Sequence, residues 1–170
     1  MAVTVSGTTA LSGGVMEGGS KTVQQGSLLA QGALVISGGA TALDGGWTLT
    51  THDTTNWTSG YIYFGYNPAG TSLGGINSFV NAAGAAFLDQ NAAGYSIVLN
   101  SGSGIFSNAG LFDKTAASGS SITAVSPIFN NSGTLEVDAG TVSLTGAAAR
   151  AAPSLSRPAP HSVSTAAASL

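Results

Sequence analysis

The chain has 170 residues, enough for one domain of ordinary size, and 27 Ala, 25 Gly, 23 Ser and 18 Thr together fill 93 of its positions. Charged residues make up only 6%, against about 25% in a typical soluble domain, which excludes coiled coils, helical repeats and charge-rich disordered tails. Four Lys and Arg cannot neutralise a run of phosphates, so nucleic acid is not an expected partner.

Cysteine is absent, which removes disulfide frameworks, thiolate zinc sites and cysteine nucleophiles together. No apolar run approaches the roughly 18 residues of a membrane helix, so no transmembrane segment is expected. The start, Met1-Ala-Val-Thr-Val-Ser-Gly7, has neither the basic nor the apolar region of a signal peptide. Either the protein stays in the cytosol or the chain is an internal piece of a longer secreted polypeptide. The repeats favour the second.

Taken in chain order, the first segment is punctuated by glycine. Thr9-Ala10-Leu11-Ser12-Gly13-Gly14 matches Thr41-Ala42-Leu43-Asp44-Gly45-Gly46, and Gly18-Gly19, Gly26, Gly32 and Gly38-Gly39 fall between them. An aromatic cluster follows. Trp47, Trp57, Tyr61, Tyr63, Phe64 and Tyr66 are half of the 12 aromatics in the chain. Trp47, Trp57, Tyr61, Tyr63 and Tyr66 are therefore candidate contacts for a carbohydrate or a protein partner, because aromatic rings add contact area at little entropic cost. The same cluster also reads structurally, with Trp57 and Phe64 filling a wide coil and the tyrosines lining its outer ladder.

The clearest repeat comes next. Phe79-Val-Asn81-Ala-Ala-Gly84, Phe106-Ser-Asn108-Ala-Gly110 and Phe129-Asn-Asn131-Ser-Gly133 share Phe-x-Asn, a small residue and Gly. Periods of this size signal a solenoid or a related array. If each unit occupies the same corner of successive coils, Phe79, Phe106 and Phe129 stack inward. Asn81, Asn108 and Asn131 then form an amide ladder, and Gly84, Gly110 and Gly133 supply the corner. Residues 78–93 read in isolation as helix, because Phe79, Ala83 and Phe87 sit at helical spacing. The register with the later units argues for strand.

In Thr134-Leu-Glu-Val-Asp138, Leu135 and Val137 share one face, and Thr141-Val-Ser-Leu-Thr145 repeats the alternation after Ala139-Gly140. Strict period two over four or five residues predicts half-buried strands. With Gly at the corners they wind into a coil of three faces and roughly 20–27 residues per turn. About six coils at about 4.8 Å spacing give a rod on the order of 30 Å long. A hairpin at Asp138-Ala139-Gly140, and with it an antiparallel sandwich, is the competing reading. From Gly146 the pattern stops. Residues 147–170 carry three of the five prolines and are expected to be a low-complexity disordered tail beside a solenoid domain of residues 1–146.

The residues from Thr54-Thr-Asn-Trp-Thr-Ser-Gly60 through Ile105-Phe-Ser-Asn-Ala-Gly110 to Ile128-Phe-Asn-Asn-Ser-Gly-Thr-Leu-Glu-Val-Asp-Ala-Gly-Thr-Val-Ser-Leu144 resemble the autotransporter-passenger and filamentous-haemagglutinin-like repeat proteins of bacteria. That resemblance implies a right-handed parallel β-helix, displayed at the cell surface or secreted as a stalk or adhesive rod. Its implied partners are host or environmental glycans or surface proteins.

Catalytic motifs are sparse. Asp89, Asp113 and Asp138 recur at about one coil's spacing and are placed on one outer face, where two carboxylates can perform acid–base hydrolysis; solvated charges that protect sheet edges are the plainer account. His52-Asp53 is the only local His–carboxylate pair, and no nucleophile elbow accompanies it. Gly-Gly-x-Gly-x-Asp calcium repeats and Gly-Lys-Ser/Thr phosphate loops are missing. The expectation is a structural or adhesive segment with no catalytic residues, metal or cofactor. A polysaccharide-acting β-helix lyase or hydrolase is the alternative.

Overall fold

The computed structural model describes residues 1–18, 26–116 and 121–146, and the backbone of 162–165. Each coil contributes three short strands. The first coil has β1 (Ala2–Val5), β2 (Thr9–Leu11) and β3 (Gly14–Glu17), and the second β4 (Ser27–Ala30), β5 (Leu34–Ile36) and β6 (Thr41–Asp44). The third has β7 (Thr48–Thr51), β8 (Thr54–Trp57) and β9 (Ile62–Phe64), and the fourth β10 (Ile76–Asn81), β11 (Ala86–Asp89) and β12 (Ile97–Leu99). The fifth has β13 (Ser103–Asn108), β14 (Leu111–Lys114) and β15 (Ile122–Val125). The sixth ends the series with β16 (Ile128–Asn131), β17 (Thr134–Val137) and β18 (Thr141–Leu144). Every third strand pairs, in parallel, so the chain builds three sheets, β1-β4-β7-β10-β13-β16, β2-β5-β8-β11-β14-β17 and β3-β6-β9-β12-β15-β18. This is a parallel β-solenoid of six rungs and five rung-to-rung steps.

No helix occurs among the described residues, and none is long and apolar enough to cross a membrane. Residues 78–93 form β10, a corner and β11. Helical spacing there is a by-product of two strands whose inward residues flank a short turn. Asp138-Ala139-Gly140 is likewise a corner, because β17 and β18 lie in different sheets. The Thr9 and Thr41 segments do not share register: Thr9 pairs with Leu34 in the second sheet, and Thr41 with Gly14 in the third. The expected disordered tail falls mostly on residues outside those described. Ser162–Thr165 form β19, which pairs with β18 and extends the third sheet.

Alternation places one column of side chains after another inside. In the first sheet Leu49, Phe79, Phe106 and Phe129 stand in register, and the three Phe are buried. Phe79 stacks on Phe106 at 4.8 Å with planes 4° apart, and Phe106 on Phe129 at 5.6 Å. Phe87 and Phe112 of the second sheet stack at 4.9 Å and meet the first column edge-on, with Phe106 touching both. Offset and edge-to-face contacts of this kind add to the area each ring removes from water.

The next inward column is polar. Asn81 Nδ2 donates to Asn108 Oδ1 at 2.6 Å, and Asn108 Nδ2 to Asn131 Oδ1 at 2.7 Å. The same two amides also donate to the carbonyls of Leu111 and Thr134 across the corner. The ladder thus closes the turn as well as the stack, which satisfies amides that would be costly to bury alone.

At that corner Gly110 and Gly133 occupy equivalent places. A Cβ on Gly110 would run into the Ala85 carbonyl oxygen, and one on Gly133 into that of Gly110. Gly84 differs: Ala86 pairs with Leu111, so Ala85 sits opposite Gly110. Gly84 instead lies in a corner two residues longer, where its φ of +82° favours glycine.

Phe106 touches rings on both sides and across the core, so Phe106→Ala should cost about 3–5 kcal/mol in urea unfolding. Phe129→Ala, on the last strand of its sheet, should cost less. Equal and negligible losses at both would refute the shared stack.

Candidate functional site

The outer side of the third sheet carries the aromatic surface. Tyr63 points outward from the middle of β9, between buried Ile62 and Phe64. Tyr61 enters that strand and is 38% exposed. Its ring centroid lies 5.5 Å from Tyr63 and 5.0 Å, edge-on, from Tyr95 of the next rung. Tyr66 follows β9 and lies 4.7 Å from Tyr63. The four rings form one patch. Burial first, then the neighbouring Tyr61 and Tyr66, pushes the Tyr63 hydroxyl above its ordinary pKa, so this phenol stays a neutral donor and acceptor at physiological pH.

Trp47 and Trp57, expected as contacts, are not in this patch. Trp57 is fully buried in the inward column Leu11, Ile36, Trp57, and its Nε1 donates to the Gly60 carbonyl at 2.8 Å. Trp47 is 8% exposed and covers Gly26, where any Cβ would strike its ring. Asn77 Oδ1 accepts the backbone N–H groups of Gly46 and Trp47, fixing that corner. Both tryptophans fill coils, as Phe64 does.

Tyr95 was missed for a readable reason. Ile62 pairs with Ile97, a long step because residues 65–75 are looped out between β9 and β10. Asp44, itself buried, ties this loop down: Ser72 Oγ donates to Oδ1 at 2.6 Å and Leu73 N to Oδ2 at 2.8 Å.

The three aspartates expected on one outer face are divided. Leu88, Asp113 and Glu136 stand in register on the outer side of the second sheet, whereas Asp89 pairs with Lys114 one position on and points inward. Asp138 follows β17 on the exposed rim. Burial, and then Asp138, Glu136 and Asp89, push Asp113 up to about 6.

Inside, Asp89 and Lys114 have no exposure and form an ion pair of 3.3 Å. Thr123 Oγ1 donates to Asp89 Oδ2 at 2.6 Å and Asn91 N to Oδ1 at 3.1 Å. Burial raises the Asp89 pKa against these stabilising partners. The parity that makes Leu135 and Val137 inward does the same for Phe112 and Lys114, so the strand pattern itself signals this buried lysine. His52 and Asp53 are exposed at a corner, and Asp53 accepts the Thr54 N–H at 2.7 Å. Among the described residues no group of three His, Asp or Glu side chains is placed to hold a metal ion.

Fold and surface define a parallel β-solenoid with a tyrosine patch on one outer sheet. Compared with models of protein families, with curated proteins and with solved structures, the chain matches none.

Asp113 sets a pH dependence. Its folded pKa of about 6 lies above the ordinary 3.8, so between these values the folded state binds more protons than the unfolded one, and stability falls as pH rises. The urea midpoint should therefore increase from pH 7 to pH 5. Asp113→Asn should stabilise the protein at pH 7 by about 1–2 kcal/mol, after allowance for solvent screening, and flatten the profile. An unchanged pH profile in this variant would rule the assignment out.

Proposed function

We propose that this solenoid is a structural and adhesive segment of a surface-exposed or secreted bacterial protein, without catalytic activity of its own. The observation that carries the reading is the patch of Tyr61, Tyr63, Tyr66 and Tyr95, held on a stiff sheet and flanked by a loop that Asp44 anchors. Faces of aromatic rings suit the C–H surfaces of sugars, and phenolic hydroxyls suit their hydroxyls. The resemblance to bacterial repeat adhesins supports the setting, and the partners that follow are host or environmental glycans or surface proteins.

A glycan array followed by calorimetry tests this. Tyr61→Ala with Tyr63→Ala should weaken binding of any retained glycan by about tenfold or more, roughly 1.4 kcal/mol, while leaving the fold intact. Equal binding by the double variant would remove the patch as the site.

The polysaccharide-acting alternative keeps one favourable observation, Asp113 at about 6 in register with Glu136, an acid beside a second carboxyl group. Our reading expects no product release from pectin, alginate or glycosaminoglycans. Release that vanishes in Asp113→Asn would establish the alternative.

A further inference from the structure

The inward column Leu11, Ile36, Trp57, Asp89, Lys114, Val137 is apolar except at two adjacent rungs. There a lysine and an aspartate face each other with no solvent exposure on either side chain. A buried ion pair must offset two desolvation costs, and an apolar pair of the same volume often does as well. Four features make this site suited to more than a salt bridge. Lys114 Nζ lies 3.3 Å from Asp89 Oδ2. The Asn91 carbonyl, 3.4 Å from Nζ, orients the amine. Thr123 Oγ1 donates to Oδ2, and the Asn91 N–H donates to Oδ1. The chain has no cysteine, so a covalent tie between rungs must use other chemistry.

We propose that Lys114 and Asp89 condense spontaneously to an isopeptide bond that staples the fourth rung to the fifth.

The attack needs an amine and a carboxylic acid, so a proton first passes from Lys114 Nζ to the Asp89 carboxylate, which burial disposes to accept it. The Nζ lone pair attacks Cγ. The Asn91 N–H stabilises the charge that develops on Oδ1, as an oxyanion-hole donor does, and the Thr123 hydroxyl assists departure of Oδ2. Nζ gives up a second proton, and Oδ2 leaves as water carrying both. One C–O bond breaks, one C–N bond forms, and nothing is oxidised or reduced. Condensation is unfavourable between free groups in water. Held partners reach effective molarities of about 10⁵–10⁸ M, and the excluded solvent opposes the reverse reaction. Thr123 and the Asn91 N–H thus act directly on the reacting carboxyl group.

The test is the intact mass of the purified full chain after denaturation. The expected value is the sequence mass less one water, with trypsin failing to cut after Lys114 in the denatured chain. Lys114→Arg keeps the positive charge but has no nucleophilic amine, and should show its full sequence mass whether or not it folds. Asp89→Asn should lose one ammonia instead of one water, which no other dehydration would mimic. Thr123→Val should slow formation severalfold, read as the fraction of dehydrated chain over time. A wild-type chain at full mass, with Lys114 cut normally after denaturation, overturns the proposal and leaves a plain ion pair. Equal water loss in Lys114→Arg also overturns it, since cyclisation at Asp44-Gly45 would give the same mass change.

Discussion

Parallel pairing in register, rung on rung, is the constraint on which the rest of the molecule depends. A side chain in such a stack meets the same position of the coil above and below at about 4.8 Å. That distance suits offset stacking of aromatic rings, whose centroids sit about 4.5–7 Å apart, and the reach of a carboxamide. Phe79, Phe106 and Phe129 exploit the first, and Asn81, Asn108 and Asn131 the second. Coil length can then vary, from 19 residues between Ile122 and Thr141 to 35 between Ile62 and Ile97. Corners and loops absorb the difference, and the strands keep their alignment.

Stacking like on like also decides which polar groups the interior tolerates. The Asn81 and Asn108 amides each donate both to the next rung and to a carbonyl across the corner, so their burial is compensated twice over. Such bonds add about 1 kcal/mol each, while an orphaned amide costs more than that. The ladder ends at Asn131, whose Nδ2 is buried without a partner. Asp89 and Lys114 solve a harder version of the problem. Opposite charges on consecutive rungs neutralise one another, and Thr123 and Asn91 satisfy the remaining carboxylate positions. On the outer face the same geometry works in the other direction. Asp113 and Glu136 are like charges at one position of neighbouring rungs, and their repulsion helps to raise Asp113.

The tyrosine patch is a product of both rules. Period two sends Ile62 and Phe64 inward and Tyr63 outward, and stacking brings Tyr95 beside Tyr61. A loop of residues 65–75 leaves the coil next to these rings and is fastened by a buried carboxylate, Asp44. A rigid surface with several rings loses little entropy on binding.

Alternation in Leu135, Val137, Val142 and Leu144, and the Phe-x-Asn-x-Gly recurrence, were enough to point to short strands and a solenoid, because both depend on local periodicity, while an antiparallel sandwich stayed open until strands were seen to pair in parallel. The three-rung Phe and Asn columns follow from the same count. Local sequence could not show how many residues each corner consumes, and three departures trace to that. The corner after Asn81 is two residues longer than those after Asn108 and Asn131, which displaced Gly84 from the glycine position. The loop at 65–75 hid Tyr95 from Tyr61. The similar segments at Thr9 and Thr41 fell on different sheets. Tertiary structure alone decided which aromatics face out, since Trp47 and Trp57 turn inward where Gly26 and the coil's width leave room for an indole. It alone brought Asp89 to Lys114 and Thr123, because rungs remote in sequence meet only once the coil has closed.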